Sequence, residues 1–160
     1  MSKRTPPPPP ELDSSWQKTP GWRGHYARMG RWRHRWRAAS DPVEREDFLY
    51  AFFCAAANLA DWLKAEAAVP QTELDALLKN SSDLRVARDI SNVIKHRDLS
   101  DPKVGREYSM ARQYEDPPHG TFAPDSRLTI YTNGAWIDAI EIADRCAREW
   151  DAFLQRHGVL

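Results

Sequence analysis

At 160 residues the chain has room for one ordinary domain with a sizeable core, and 7 Trp, 5 Tyr and 5 Phe supply large apolar area to a composition only 41% hydrophobic. Twenty-three basic and 23 acidic side chains cancel, so the total charge argues neither for a nucleic acid nor for a membrane. Two cysteines without a C-x-x-C spacing, and no apolar run near the ~20 residues of a membrane span, exclude a disulfide framework, a zinc motif and a membrane segment; with no signal-peptide core, the expectation is a cytoplasmic protein with no metal and no cofactor.

The charge is unevenly spread. Residues 1–40 hold nine Lys/Arg against Glu11 and Asp13, a net of +7, and the other 120 residues carry −7. The basic end therefore either meets an anionic partner or docks on its own acidic body. Residues 1–20, with prolines at 6 to 10, are expected to be a disordered leader, because a proline run favours an extended, solvated chain. Residues 21–160 are read as a single helical domain.

Trp22, Tyr26, Met29, Trp32 and Trp36 recur at steps of four, three, three and four, which predicts a helix over 22–38 with one aromatic face. Arginines fill the positions between. Arg28, Arg31 and Arg35, with Trp32 and Trp36, are candidates for contact with RNA or a protein partner, since guanidinium groups beside indoles offer both charge and a stacking surface. The plainer alternative is that this face packs on the rest of the bundle.

Ser40-Asp41-Pro42-Val43-Glu44 is a helix start: Asp41 as N-cap, Pro42 at the first helical position and Glu44 closing a capping box. The helix it opens is expected over 43–68, with Phe48, Phe52, Leu59 and Leu63 in one row and Pro70 as its stop. A short helix over 71–79 follows, and Ser81 or Ser82 caps the next, over 83–97. Residues 102–126 read as a loop in which Val104 to Tyr108 form a strand, paired with Arg127 to Thr132 in a small hairpin. Asn133-Gly134 turns the chain, and a last helix over 135–157, with Trp136, Ile140, Ala143, Trp150 and Leu154 at helical spacing, ends at Gly158. The fold class is all-α: a helical bundle of about four main helices with a small hairpin or loop insertion before the last.

Chemistry concentrates in the helix over 83–97. Arg85, Arg88, Asp89, Asn92 and His96 fall at steps of three and four and form one polar stripe. The bland reading is a solvated face with an Arg85–Asp89 pair. In the sharper one, histidine moves a proton near neutral pH and a cationic neighbour steadies a phosphate. RNA brings its own nucleophile, the 2′-hydroxyl.

The stretch Asp89-Ile-Ser-Asn-Val-Ile-Lys-His96, with Asp61-Trp-Leu-Lys64 upstream and a final helix bearing Trp150, resembles uncharacterised bacterial helical proteins with an N-x-x-K-H helix. More distantly it is similar to the HEPN superfamily, whose bundles carry an R-x(4–6)-H motif with Asn after the Arg. His96 matches that histidine and Asn92 the polar residue after the Arg; the place of the Arg itself holds Ser91, and Arg88 lies seven intervening residues from His96. The resemblance implies a homodimer, a role in toxin–antitoxin or phage-defence systems, and metal-independent RNase chemistry with His96 as general acid/base, Asn92 orienting, and Arg88 or Lys95 on the phosphate. The other reading is a non-catalytic interaction domain that binds another protein through the Trp/Arg helix and the proline leader.

Overall fold

In the computed structural model, which describes residues 21–95, 109–114 and 126–160, the first helix α1 (Gly21–Ala38) turns through a short connection into the longest, α2 (Pro42–Ala65). The two run antiparallel, because Trp22 lies beside Glu66 at one end and Trp32 stacks on Phe48 at the other. Asp41 caps α2 as its sequence predicts, its carboxylate accepting the Glu44 N–H at 2.8 Å. The helix ends at Ala65, short of the expected residue 68. Ala67 takes φ +48°, and the Ala68 and Ala67 N–H groups turn back to the carbonyls of Leu63 and Lys64 at 3.0 and 3.2 Å, which satisfies acceptors the helix would otherwise leave open.

α3 (Gln71–Asn80) and α4 (Ser82–Lys95) come next. Of the two candidate caps for α4 it is Ser81 that acts, its Oγ accepting the Leu84 N–H at 2.9 Å. α1 and α4 each pack along α2, and α5 (Ala139–Arg156) packs against both α2 and α4. Their shared core is Leu49, Phe52, Phe53, Leu59 and Leu63 of α2, Ala87 and Ile90 of α4, and Ile142, Cys146, Trp150 and Leu154 of α5. The buried Trp150 indole donates to the Ala56 carbonyl at 3.1 Å, so its polar edge costs nothing by burial.

The insertion before α5 differs from the expected hairpin. Three antiparallel strands, β1 (Ser109–Tyr114), β2 (Ser126–Thr132) and β3 (Ala135–Asp138), pair in the order β1-β2-β3. The strand beside β2 is thus 109–114; the expected strand at 104–108 lies outside the described residues, as do the leader and most of the 102–126 loop. The last helix starts at Ala139, not Ala135. Asn133 and Gly134 both hold positive φ, +51° and +80°, the two-residue turn that sends a chain straight back along its partner. Trp136 and Ile137 therefore pair with Tyr131 and Ile130, and Asp138 caps α5 by accepting the Ile140 N–H at 2.8 Å. The fold is a mostly helical bundle with this small sheet inserted before its last helix, and no described helix is long and apolar enough to cross a membrane.

Candidate functional site

Helix α1 docks on the bundle through Trp22, Met29 and Trp36, each two turns from the next and 3%, 3% and 2% exposed. Trp36, a candidate for partner contact, is thereby a core residue: its indole faces the bundle, so it offers nothing to a ligand. The seam is closed at its start by Glu66, whose carboxylate accepts the Trp22 N–H at 2.9 Å and sits where a Cβ on Gly21 would fall. A carboxylate there matches the positive end of the helix dipole.

The two flanks of α1 then differ. Toward α5, Asp144 takes both Arg33, at 3.0 Å, and Arg37, at 2.5 Å, while Tyr26 donates to Asp151 at 2.7 Å. Burial, with Asp151 adding to it, pushes the Tyr26 hydroxyl up to about 12. Along α2, the row His25, Arg28, Trp32, Arg35 alternates rings and cations. His25 stacks on Trp62 with centroids 4.3 Å apart, Trp32 stacks on Phe48 at 5.8 Å, and the Arg35 guanidinium lies 4.9 Å from the Trp32 centroid. Burial, and then Arg28, lower the His25 pKa, with Glu66 opposing. Arg28, Arg31 and Arg35 have no carboxylate partner among the described residues. Self-docking and an open basic surface are therefore both realised, on opposite flanks of one helix.

On the far side of α2 a cleft of about 110 Å³ opens between α2, α4 and Trp150. Ala56, Ala57 and Ala60 make room for it; Asn58 and Asp61 of α2 and Arg88, Ser91 and Asn92 of α4 supply its polar wall. The structure brings Arg88 and Asn92, two of the candidate catalytic residues, into this one cleft. Lys95 closes α4, with its side chain outside the described residues, and His96 lies outside them altogether. The stripe on α4 is not uniformly solvated: Asp89 is fully buried, and Arg85 turns to the Ser81 carbonyl at 3.2 Å. Asn58, Asp61, Arg88 and Asn92 make no hydrogen bond or ion pair with their side chains among the described residues. A half-open cleft with small apolar walls and unpaired donors and acceptors is suited to holding one small polar group.

Asn58 and Asp61 had no role in the sequence reading. Asp61 stands in the quoted Asp-Trp-Leu-Lys segment, and a polar pair three apart inside an alanine-rich helix, Ala55-Ala56-Ala57-Asn58-Leu59-Ala60-Asp61, is the signal that could have found them. A second polar cluster is structural. Asp83, in the first turn of α4, takes Arg145 of α5 by two bonds of 2.7 and 3.0 Å, tying α4 to α5. Beside it Glu149 buries one carboxylate oxygen without a hydrogen-bond partner, and burial pushes its pKa above the usual carboxylate value, Asp83 adding to the rise against Ser81 and Arg145. Among the described residues no three His, Cys, Asp or Glu are grouped to hold a metal ion. No protein-family profile, curated protein or solved structure matches the chain.

Proposed function

We propose that this chain is a non-catalytic helical interaction domain whose partner is a single-stranded nucleic acid, RNA foremost, laid along the His25–Arg28–Trp32–Arg35 flank of α1. The observation that carries this reading is the division of the arginines: Arg33 and Arg37 are neutralised by Asp144, while Arg28, Arg31 and Arg35 are not, and rings alternate with them. Guanidinium groups neutralise phosphates, and rings give bases of any sequence a face to stack on. A protein partner gripping the α1 tryptophans has less to hold, because Trp22 and Trp36 are in the core. Among the described residues the exposed large apolar side chains are scattered: Val43 and Trp62 are near opposite ends of α2, Trp136 is on β3 and Leu160 is the last residue. Placement in the cytoplasm, and in phage defence or a toxin–antitoxin pair, follows from the sequence and its resemblance and belongs to the same proposal.

One observation favours a second reading, the metal-independent RNase: Arg88 and Asn92 share a cleft on the helix that leads directly to His96. In that reading His96 transfers the proton between the 2′-hydroxyl and the leaving oxygen, Arg88 or Lys95 meets the phosphate, and a homodimer completes the site. A labelled RNA pool incubated in EDTA with the protein, beside Arg28→Ala/Arg35→Ala and His96→Ala, separates the two. Binding without cutting, weakened about tenfold in the arginine variant, is the expected result. Cutting that leaves 2′,3′-cyclic phosphates and vanishes with His96→Ala would move the assignment to the RNase, and no binding even at low salt would remove RNA as the partner.

A further inference from the structure

The α2/α4 cleft has chemistry that the α1 flank lacks, and its size is informative. A volume of about 110 Å³ is several times the roughly 10–15 Å³ that admits one water and well short of the roughly 300 Å³ where sites for drug-sized ligands begin. It suits one ring system and no dinucleotide. Its walls carry a carboxylate, Asp61, on α2 and a guanidinium, Arg88, on α4, with the carboxamides of Asn58 and Asn92 on the same two helices. Asp61 and Arg88 form no ion pair with each other, so each is free to meet an opposite edge of whatever enters.

From this pairing we infer that the cleft is a base-binding subsite that takes one guanine, a step that rests on the nucleic-acid reading for its biological source but not for its chemistry. Guanine has two adjacent N–H donors on one edge, N1 and N2, and two adjacent acceptors, O6 and N7, on the other. A carboxylate accepts from the first pair and a guanidinium donates to the second. Adenine turns the N1 lone pair toward the carboxylate, and uracil and cytosine each present a lone pair beside their donor, so the same carboxylate repels all three. Asn58 and Asn92, each both donor and acceptor, are left for the sugar. Trp62, next in the chain after Asp61, is 37% exposed and stacked on His25 on the α1 side of α2, where it offers another base of the same strand a platform.

The test is fluorescence anisotropy with the full chain and two labelled RNA dodecamers, one all uridine and one with a single central guanosine, with GMP and AMP titrated separately. The guanosine-bearing strand should bind about tenfold tighter. Asp61→Asn, an exposed and isosteric change, should bring the ratio to near one, by weakening the guanosine-bearing strand and relieving the repulsion of uracil, with the melting temperature unchanged. Arg28→Ala should weaken both strands alike and leave the ratio untouched. Equal affinity of the unaltered protein for the two strands overturns the guanine subsite while leaving the nucleic-acid reading in place. If neither strand binds, that reading falls, and the nucleotides decide: preference for GMP over AMP, lost in Asp61→Asn, keeps the cleft as a site for a free guanine nucleotide, whereas equal or absent binding ends it.

Discussion

Ala67 holds φ +48° at the end of α2, a conformation that crowds a Cβ against the following carbonyl and that glycine adopts freely. The same turn at the end of α5 is made by Gly158, at φ +65°. Ala67→Gly is expected to raise stability by about 0.5–1 kcal/mol, and a urea unfolding midpoint that falls instead would show that the Ala67 methyl group makes compensating contacts. Tyr26 carries a pH dependence. Its hydroxyl is pushed up to about 12 by burial and by Asp151, so below pH 10 the folded and unfolded chains both hold the proton and the contribution is complete. Between pH 10 and about 12 the unfolded chain ionises first, and stability falls as pH rises. Tyr26→Phe should flatten that part of the stability profile measured by chemical unfolding; because the side chain is half-buried, solvent screening keeps the effect small. An unchanged slope would place the alkaline loss elsewhere.

At the scale of the element, α1 is held by an apolar stripe and steered by one carboxylate. Trp22, Met29 and Trp36 supply the burial, and Asp144 decides which arginines are consumed. Both salt bridges are partly exposed, with Arg37 half in solvent, so their removal costs at most about 1 kcal/mol. Asp144→Asn is accordingly expected to leave α1 docked, to lower the melting temperature slightly, and to tighten RNA binding only slightly, because the two guanidinium groups it releases are on the flank opposite the RNA. A severalfold tightening in a folded variant would mean that the RNA passes near Asp144. The turn at Asn133-Gly134 works at the same scale. Its two positive-φ residues decide that the next four residues pair with β2 before a helix can begin.

For the whole molecule the relevant quantity is the separation of charge. Net charge is zero, yet among the described residues Arg28, Arg31 and Arg35 of α1 have no carboxylate partner, on a body that is otherwise acidic. Three phosphate contacts to a single strand predict a slope of about −2 for the logarithm of the binding constant against the logarithm of salt concentration, at about 0.7 per contact. A slope shallower than about −1 in a salt titration would show that fewer than two of these arginines meet phosphate.

Local rules were enough for the helices: the 3.6-residue period of the tryptophans in α1, the Asp41-Pro42 cap of α2 and the glycine after α5 act within one or two turns of chain, and a linear sequence displays them directly. The third strand was hidden because Ala135 to Ile140 is too short to separate a helical from an alternating period, and the backbone angles of the turn before it settled the matter. The polar stripe of α4 was likewise legible as a stripe. That Asp89 faces inward while Arg88 and Asn92 line a cleft depends on where α2 passes. Asp144 is 111 residues from Arg33, and Asp61 is on a different helix from Arg88. Sequence determines which side chains share a face of one helix, because helix geometry is local; which faces meet is decided by packing all the apolar stripes at once, and only the tertiary structure records that outcome.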